Sequence, residues 1–98
     1  MYYQYVIGMD ISKHSFDMAI LSVNNPETIA HNVFSNDKKG FDEVMEFVFA
    51  IMPGFTTSKA LFCMEATGLY CNALLQFFER QQANVSPENA TQITHSLG

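Results

Sequence analysis

The stretch Tyr5-Val6-Ile7-Gly8-Met9-Asp10-Ile11-Ser12-Lys13 decides how this chain folds. Aromatic and β-branched residues predict a first strand from Tyr2 to Met9. From Tyr5 onward apolar side chains fall on both faces, which fits a central strand better than an edge. The run ends on an acid. A carboxylate at the mouth of a buried strand is costly to keep dry, so it is usually found where the strand emerges beside a cation or a substrate. A second run, Lys59-Ala60-Leu61-Phe62-Cys63-Met64, ends the same way on Glu65, with Ala66-Thr67-Gly68 behind it. Two such acids on strands that lie side by side make half of a divalent-metal site.

Around these runs the other elements fall into order. Ser12-Lys13-His14-Ser15 turns the chain, Phe16 to Val23 reads as a second strand, and Asn24-Asn25-Pro26 is a strong turn signal before a third strand, Thr28 to Phe34. Three strands with short turns give an antiparallel meander. A helix begins near Asn36 or Asp37, either of which can cap it. Phe41, Val44, Met45, Val48, Ile51 and Met52 recur at helical spacing, and Pro53-Gly54 stops it. Phe47 and Phe49 fall off that stripe.

Lys59 to Glu65 is the fourth strand. Thr67 can cap a second helix with Leu69, Ala73, Leu74, Phe77 and Phe78 on its buried face, ended by Gln81-Gln82. Ala83 to Ser86 suits a short fifth strand, and Pro87 the first turn of a last helix. The order β-β-β-α-β-α-β-α is that of a mixed α/β sheet, with right-handed crossovers able to place the fourth strand parallel to the first.

At 98 residues the chain is one domain over 1–98, and at 48% apolar but 15% charged it is greasy for its size. That surplus either fills the core or meets a partner such as a second copy. A net charge of −5 lacks the basic footprint of a free-standing nucleic-acid binder. Cys63 and Cys71 have no disulfide or zinc spacing and read as small, reduced core residues. No secretory signal and no membrane-spanning run is evident, so a cytoplasmic protein is expected.

In the predicted sheet Asp10 and Glu65 emerge at the carboxyl end, where open α/β sheets place ligands. Gly8 and Cys63, each two positions earlier, are small and leave room. Converging carboxylates repel unless a cation lies between them, and Mg²⁺ or Mn²⁺ is the hard ion that oxygen ligands favour. A pair of ions would need more acids than these two. Either acid could instead be a loop or cap residue; Glu65 also suits a first-turn charge at the following helix. Asp17 could reach the same site but reads first as a polar strand start. Lys13 and His14 sit in the turn after Asp10, within reach of a phosphate, and Tyr70 is placed one turn into the second helix as a substrate contact or a packed ring. His31 and His95 have no ligand-like neighbours, and Ser12 and Ser15 have no general base.

These residues resemble a known family. Ile7-Gly8-Met9-Asp10-Ile11-Ser12-Lys13, with Phe16-Asp17-Met18-Ala19, is similar to the opening of the DEDD-type, RuvC-like transposases, which include the Piv-like DNA invertases and transposases of related insertion sequences. Asn36 with Gly40-Phe41, Met64-Glu65-Ala66-Thr67-Gly68 with Tyr70, and Val85 to Gly98 match in the same order. The resemblance implies a ribonuclease H-like sheet, divalent metal, and DNA strand cleavage and rejoining during mobile-element recombination. Some members are directed by a structured RNA.

Carried across, Asp10 takes the first acid of the tetrad and Glu65 the second. The family's next two aspartates follow shortly after the point where this sequence stops, and a downstream domain carries a nucleophilic serine. Ser86 stands where an asparagine is common. The resemblance therefore implies an N-terminal piece that neither cuts nor joins DNA alone. Two other classes compete: an actin-like or sugar-kinase phosphate-binding domain, whose phosphate loop would want glycine where Ile11 to Ser15 has none, and a non-catalytic module that dimerises through its Phe and Met surface.

Overall fold

In a computed structural model, which describes residues 3–24, 27–64 and 70–87, β1 (Tyr5–Ile11) lies at the centre of a five-stranded sheet. β2 (Ser15–Ser22) and β3 (Thr28–Ser35) complete the antiparallel meander, while β4 (Ala60–Met64) and β5 (Asn84–Ser86) pair in parallel on the other side. The strand order is β3-β2-β1-β4-β5. Helix α1 (Lys38–Ile51) connects β3 to β4 across the sheet, and α2 (Asn72–Arg80) connects β4 to β5. The last helix expected from Pro87 onward lies outside the described residues. Among those described, no helix is long and apolar enough to cross a membrane.

The period of two along the strands sorts the core. Ile7 and Met9 of β1, Phe16, Met18 and Ile20 of β2, Phe34 of β3 and Phe62 and Met64 of β4 point to one face, where Phe41, Val44 and Val48 of α1 and Leu74 and Phe78 of α2 cover them. Phe62 and Phe78 are both fully buried with ring centroids 4.7 Å apart. Each such phenylalanine contributes about 1.5–3 kcal/mol through burial alone. Phe47, off the helical stripe, is half-buried and meets Phe34 edge-on. Ile51, placed on the buried stripe by its spacing, is exposed because α1 ends there, and Ala73 is likewise exposed.

Asp37 is the N-cap of α1. Its Oδ1 accepts from the Gly40 N–H at 3.0 Å and from the Ser35 hydroxyl at 2.8 Å. Gly54, at φ +82°, turns the chain away from the end of α1 in a conformation that favours glycine. Among the described residues the opposite face of the sheet carries a small apolar cluster, Val6, Leu61 and Cys63, with Tyr3 and Val23 packed on it. Cys63 and Cys71 are both buried, as expected of small core residues, and no disulfide joins them. Cys71 stands at the N-cap position of α2, however, rather than inside the helix.

Candidate metal centre

Asp10 is built on this second face. In β1 the parity that buries Ile7 and Met9 puts Val6, Gly8 and Asp10 on the other side. Asp10 belongs to the strand: β1 continues to Ile11, so the acid is held by ladder pairing and does not begin a loop. Its exposure removes the burial cost that the sequence pattern alone suggests.

The cross-strand neighbour of Asp10 is Asp17. Directly opposed side chains in an antiparallel pair have Cβ atoms about 4.5–5.5 Å apart, and like charges there are mutually destabilising. Asp17 is thus the third residue of β2 and a neighbour of Asp10, more than a polar strand start. His31 of β3 also reaches it, with Nε2 3.9 Å from Asp17 Oδ1. Sequence gave no sign of that neighbour, since the two residues meet only once β2 and β3 pair. Both side chains are more than half exposed, at 56% and 54%, so this long contact contributes little to stability.

Gly8 and Ala19 are paired across the same ladder and form a low floor beside the acids. With Asp10, Asp17 and His31 they line an open concavity of about 380 Å³. Among the described residues, no three His, Cys, Asp or Glu side chains are grouped so as to hold a metal ion.

Glu65 lies outside the described residues, as does Thr67. The strand that leads to Glu65 is described: β4 runs parallel to β1, with Met64 in register with Met9. Tyr70 is not inside the second helix, which begins at Asn72; it occupies the turn before it, and the residue is 46% exposed.

Asn36 is the residue whose part in this region the sequence did not disclose. Its carboxamide nitrogen donates to the Ser12 carbonyl at 3.0 Å and to the Tyr70 carbonyl at 2.9 Å. Its backbone N–H donates to the His14 carbonyl at 2.9 Å. Asn36 Oδ1 is buried without a hydrogen-bond partner among the described residues, an arrangement that typically costs about 1–3 kcal/mol. Both amide hydrogens are used instead on carbonyl oxygens, which fixes the orientation of the group. The turn beyond Asp10 is itself tied down: the Ser12 N–H and Oγ both donate to the Ser15 carbonyl, at 2.8 and 2.9 Å. Lys13 and His14 are exposed within it.

No curated protein gave a match to the chain. A family model described as a transposase, that of the IS110-type DEDD transposases, matches residues 7–96. The match takes in β1 from Ile7 onward with Asp10, β2, β3, both helices and β4 and β5. The chain belongs to the IS110-type DEDD transposase family.

Proposed function

We propose that this chain supplies the first two acids, Asp10 and Glu65, of a divalent-metal centre that cleaves and rejoins DNA strands during transposition, on a ribonuclease H-like sheet. The observation that carries the reading is the parallel pairing of β1 and β4. Met9 is in register with Met64, and the next residue along each chain is an acid. The meander continued by parallel strands, in the order β3-β2-β1-β4-β5, supports the ribonuclease H-like assignment.

The residues present fit a hard cation in part. Asp10 offers exposed carboxylate oxygen, the low floor of Gly8 and Ala19 leaves space above the sheet, and opposed Asp10 and Asp17 are relieved by a positive charge between or beside them. Mg²⁺ or Mn²⁺, when bound, stabilises the attacking and leaving oxygens of phosphodiester displacement. With no third ligand grouped among the described residues, the centre draws further ligands from other acids, as the DEDD pattern implies. The chain's own residues present the ligands, hold Asp10 on a rigid ladder and leave its face open to a phosphate backbone. Lys13 and Tyr70, both exposed and tied to Asn36 through their neighbouring or own backbone, supply contacts to that backbone. A net charge of −5 makes the cation a principal source of attraction for DNA.

The test is an excision assay on a mobile element whose transposase contains this chain. Asp10→Asn and Glu65→Gln are each expected to lower excision by on the order of 100-fold or more, since even outer-sphere changes at metal sites cost 10–100-fold. Excision at the unmodified level in either variant contradicts the reading.

A second reading concerns self-association. β3 is an edge strand and exposes Ile29 and Val33, at 46% and 52%, an edge of the kind that pairs with another chain. A homo-oligomer formed there predicts a sedimentation coefficient that rises with concentration and falls back in Val33→Lys.

A further inference from the structure

Asn36 follows the last residue of β3 and precedes the N-cap of α1, so its backbone is held on both sides. Ser35 Oγ and Gly40 N–H both bind Asp37 Oδ1, closing the first turn of α1 around it. From this fixed point the residue reaches two segments far away in sequence. Ser12 is 24 positions before it and Tyr70 is 34 positions after it. Ser12 stands two residues beyond Asp10, and Tyr70 five residues beyond Glu65.

A carboxamide has two donor hydrogens, and here each goes to a different backbone carbonyl. Among the described residues the acceptor oxygen is buried without a partner. A residue selected only to fill space at this junction would not need both donors, and an apolar one would leave no orphaned oxygen. The arrangement makes sense as a strut between two backbone segments, the turn that follows β1 and the turn that precedes α2.

We propose that Asn36 is a positioning residue that couples the turn after Asp10 to the segment after Glu65, and so sets the spacing of the two acids. The coupling itself is independent of what the acids bind; its effect on a cation rests on the proposed metal centre. Asn36→Asp is the sharpest variant. It keeps the shape, removes both donors, and aims carboxylate oxygen at two carbonyl oxygens.

The experiment is NMR on the chain, with Asn36→Asp, Asn36→Ser and, as a control of lowered stability, Val48→Ala, whose parent side chain is fully buried far from the junction in α1. In the unmodified chain the Asn36 carboxamide protons are expected to show NOEs to Ser12–Lys13 and to Tyr70–Cys71, a readout that needs no variant to fold. In Asn36→Asp the amide exchange of residues 70–72 is expected to rise on the order of tenfold more than in Val48→Ala at matched thermal midpoint, as loss of two hydrogen bonds implies. The Mn²⁺ concentration that half-broadens the amides of Asp10 and Ile11 is expected to rise several-fold in the Asn36 variants and not in Val48→Ala.

Absent NOEs, or exchange equal to that of the control, overturn the coupling. A changed exchange with unchanged Mn²⁺ response leaves the strut standing and overturns its role in spacing the acids. If the unmodified chain itself shows no Mn²⁺ response near Asp10, the metal reading fails and the spacing role fails with it, while the exchange data still decide the coupling.

Discussion

Asp10 and Asp17 stand opposite each other on the β1–β2 ladder, two carboxylates at one register of the exposed sheet face. Sheets ordinarily avoid this. The pair is tolerated because both side chains are exposed, where water and salt screen the repulsion.

Removing one charge should therefore stabilise the fold. Asp17→Asn is expected to raise stability by about 0.2–1 kcal/mol at low ionic strength, the usual size of a cross-strand pair. The gain should shrink as salt rises from 0.01 M to 1 M, because screening already relieves the repulsion. Urea titrations at several salt concentrations measure it. A destabilised variant at low salt would show that Asp17 contributes a favourable contact instead.

Gly40 reverses the usual rule for glycine in helices. Alanine there should add about 0.5–1 kcal/mol through propensity. At this position, however, a Cβ would overlap the backbone carbonyl of Ser35, which cannot swing aside as a side-chain tip can. The overlap should win, and Gly40→Ala is expected to destabilise by about 1–3 kcal/mol or more. Thermal unfolding checks the sign: a raised midpoint would mean that the β3–α1 junction gives way easily.

Asp37 links stability to acid. The hydrogen bond from Gly40, then that from Ser35, and less strongly the Lys39 charge, hold its carboxyl below the ordinary 3.8. A lowered folded-state value means that the stabilisation is complete above the unfolded-state value and is lost as pH falls through the folded one. Unmodified protein should accordingly lose more stability than Asp37→Asn between about pH 5 and about pH 2, asparagine being a competent cap without the charge. Parallel pH profiles for the two proteins would contradict this.

Much of the fold was legible because its signals are local. The apolar runs around Ile7 and Phe62, the turn residues at 12–15, and Asp37 with Pro53-Gly54 around α1 each mark an element without reference to the rest. The parallel neighbourhood of β1 and β4 followed from the handedness of crossovers, and the structure has it. Boundaries were less legible: β1 extends past Asp10 to Ile11, since pairing with Phe16 carries the ladder one residue beyond the acid. At the candidate site, Asp10 stood out by its place at the end of an apolar run. The Asp17–His31 neighbourhood and the reach of Asn36 did not, because both depend on contacts between segments that no local pattern encodes.

The central claim is that Asp10 is a ligand in a divalent-metal centre, and Mn²⁺ titration followed by amide NMR of the unmodified chain and of Asp10→Asn tests it most directly. The account predicts that amides of residues 8–12 in the unmodified chain broaden at the lowest Mn²⁺ concentrations, and that Asp10→Asn loses this effect while keeping its fold. Broadening spread evenly over exposed acids such as Asp42, Glu43 and Glu46, or persisting around residues 8–12 in Asp10→Asn, would contradict it.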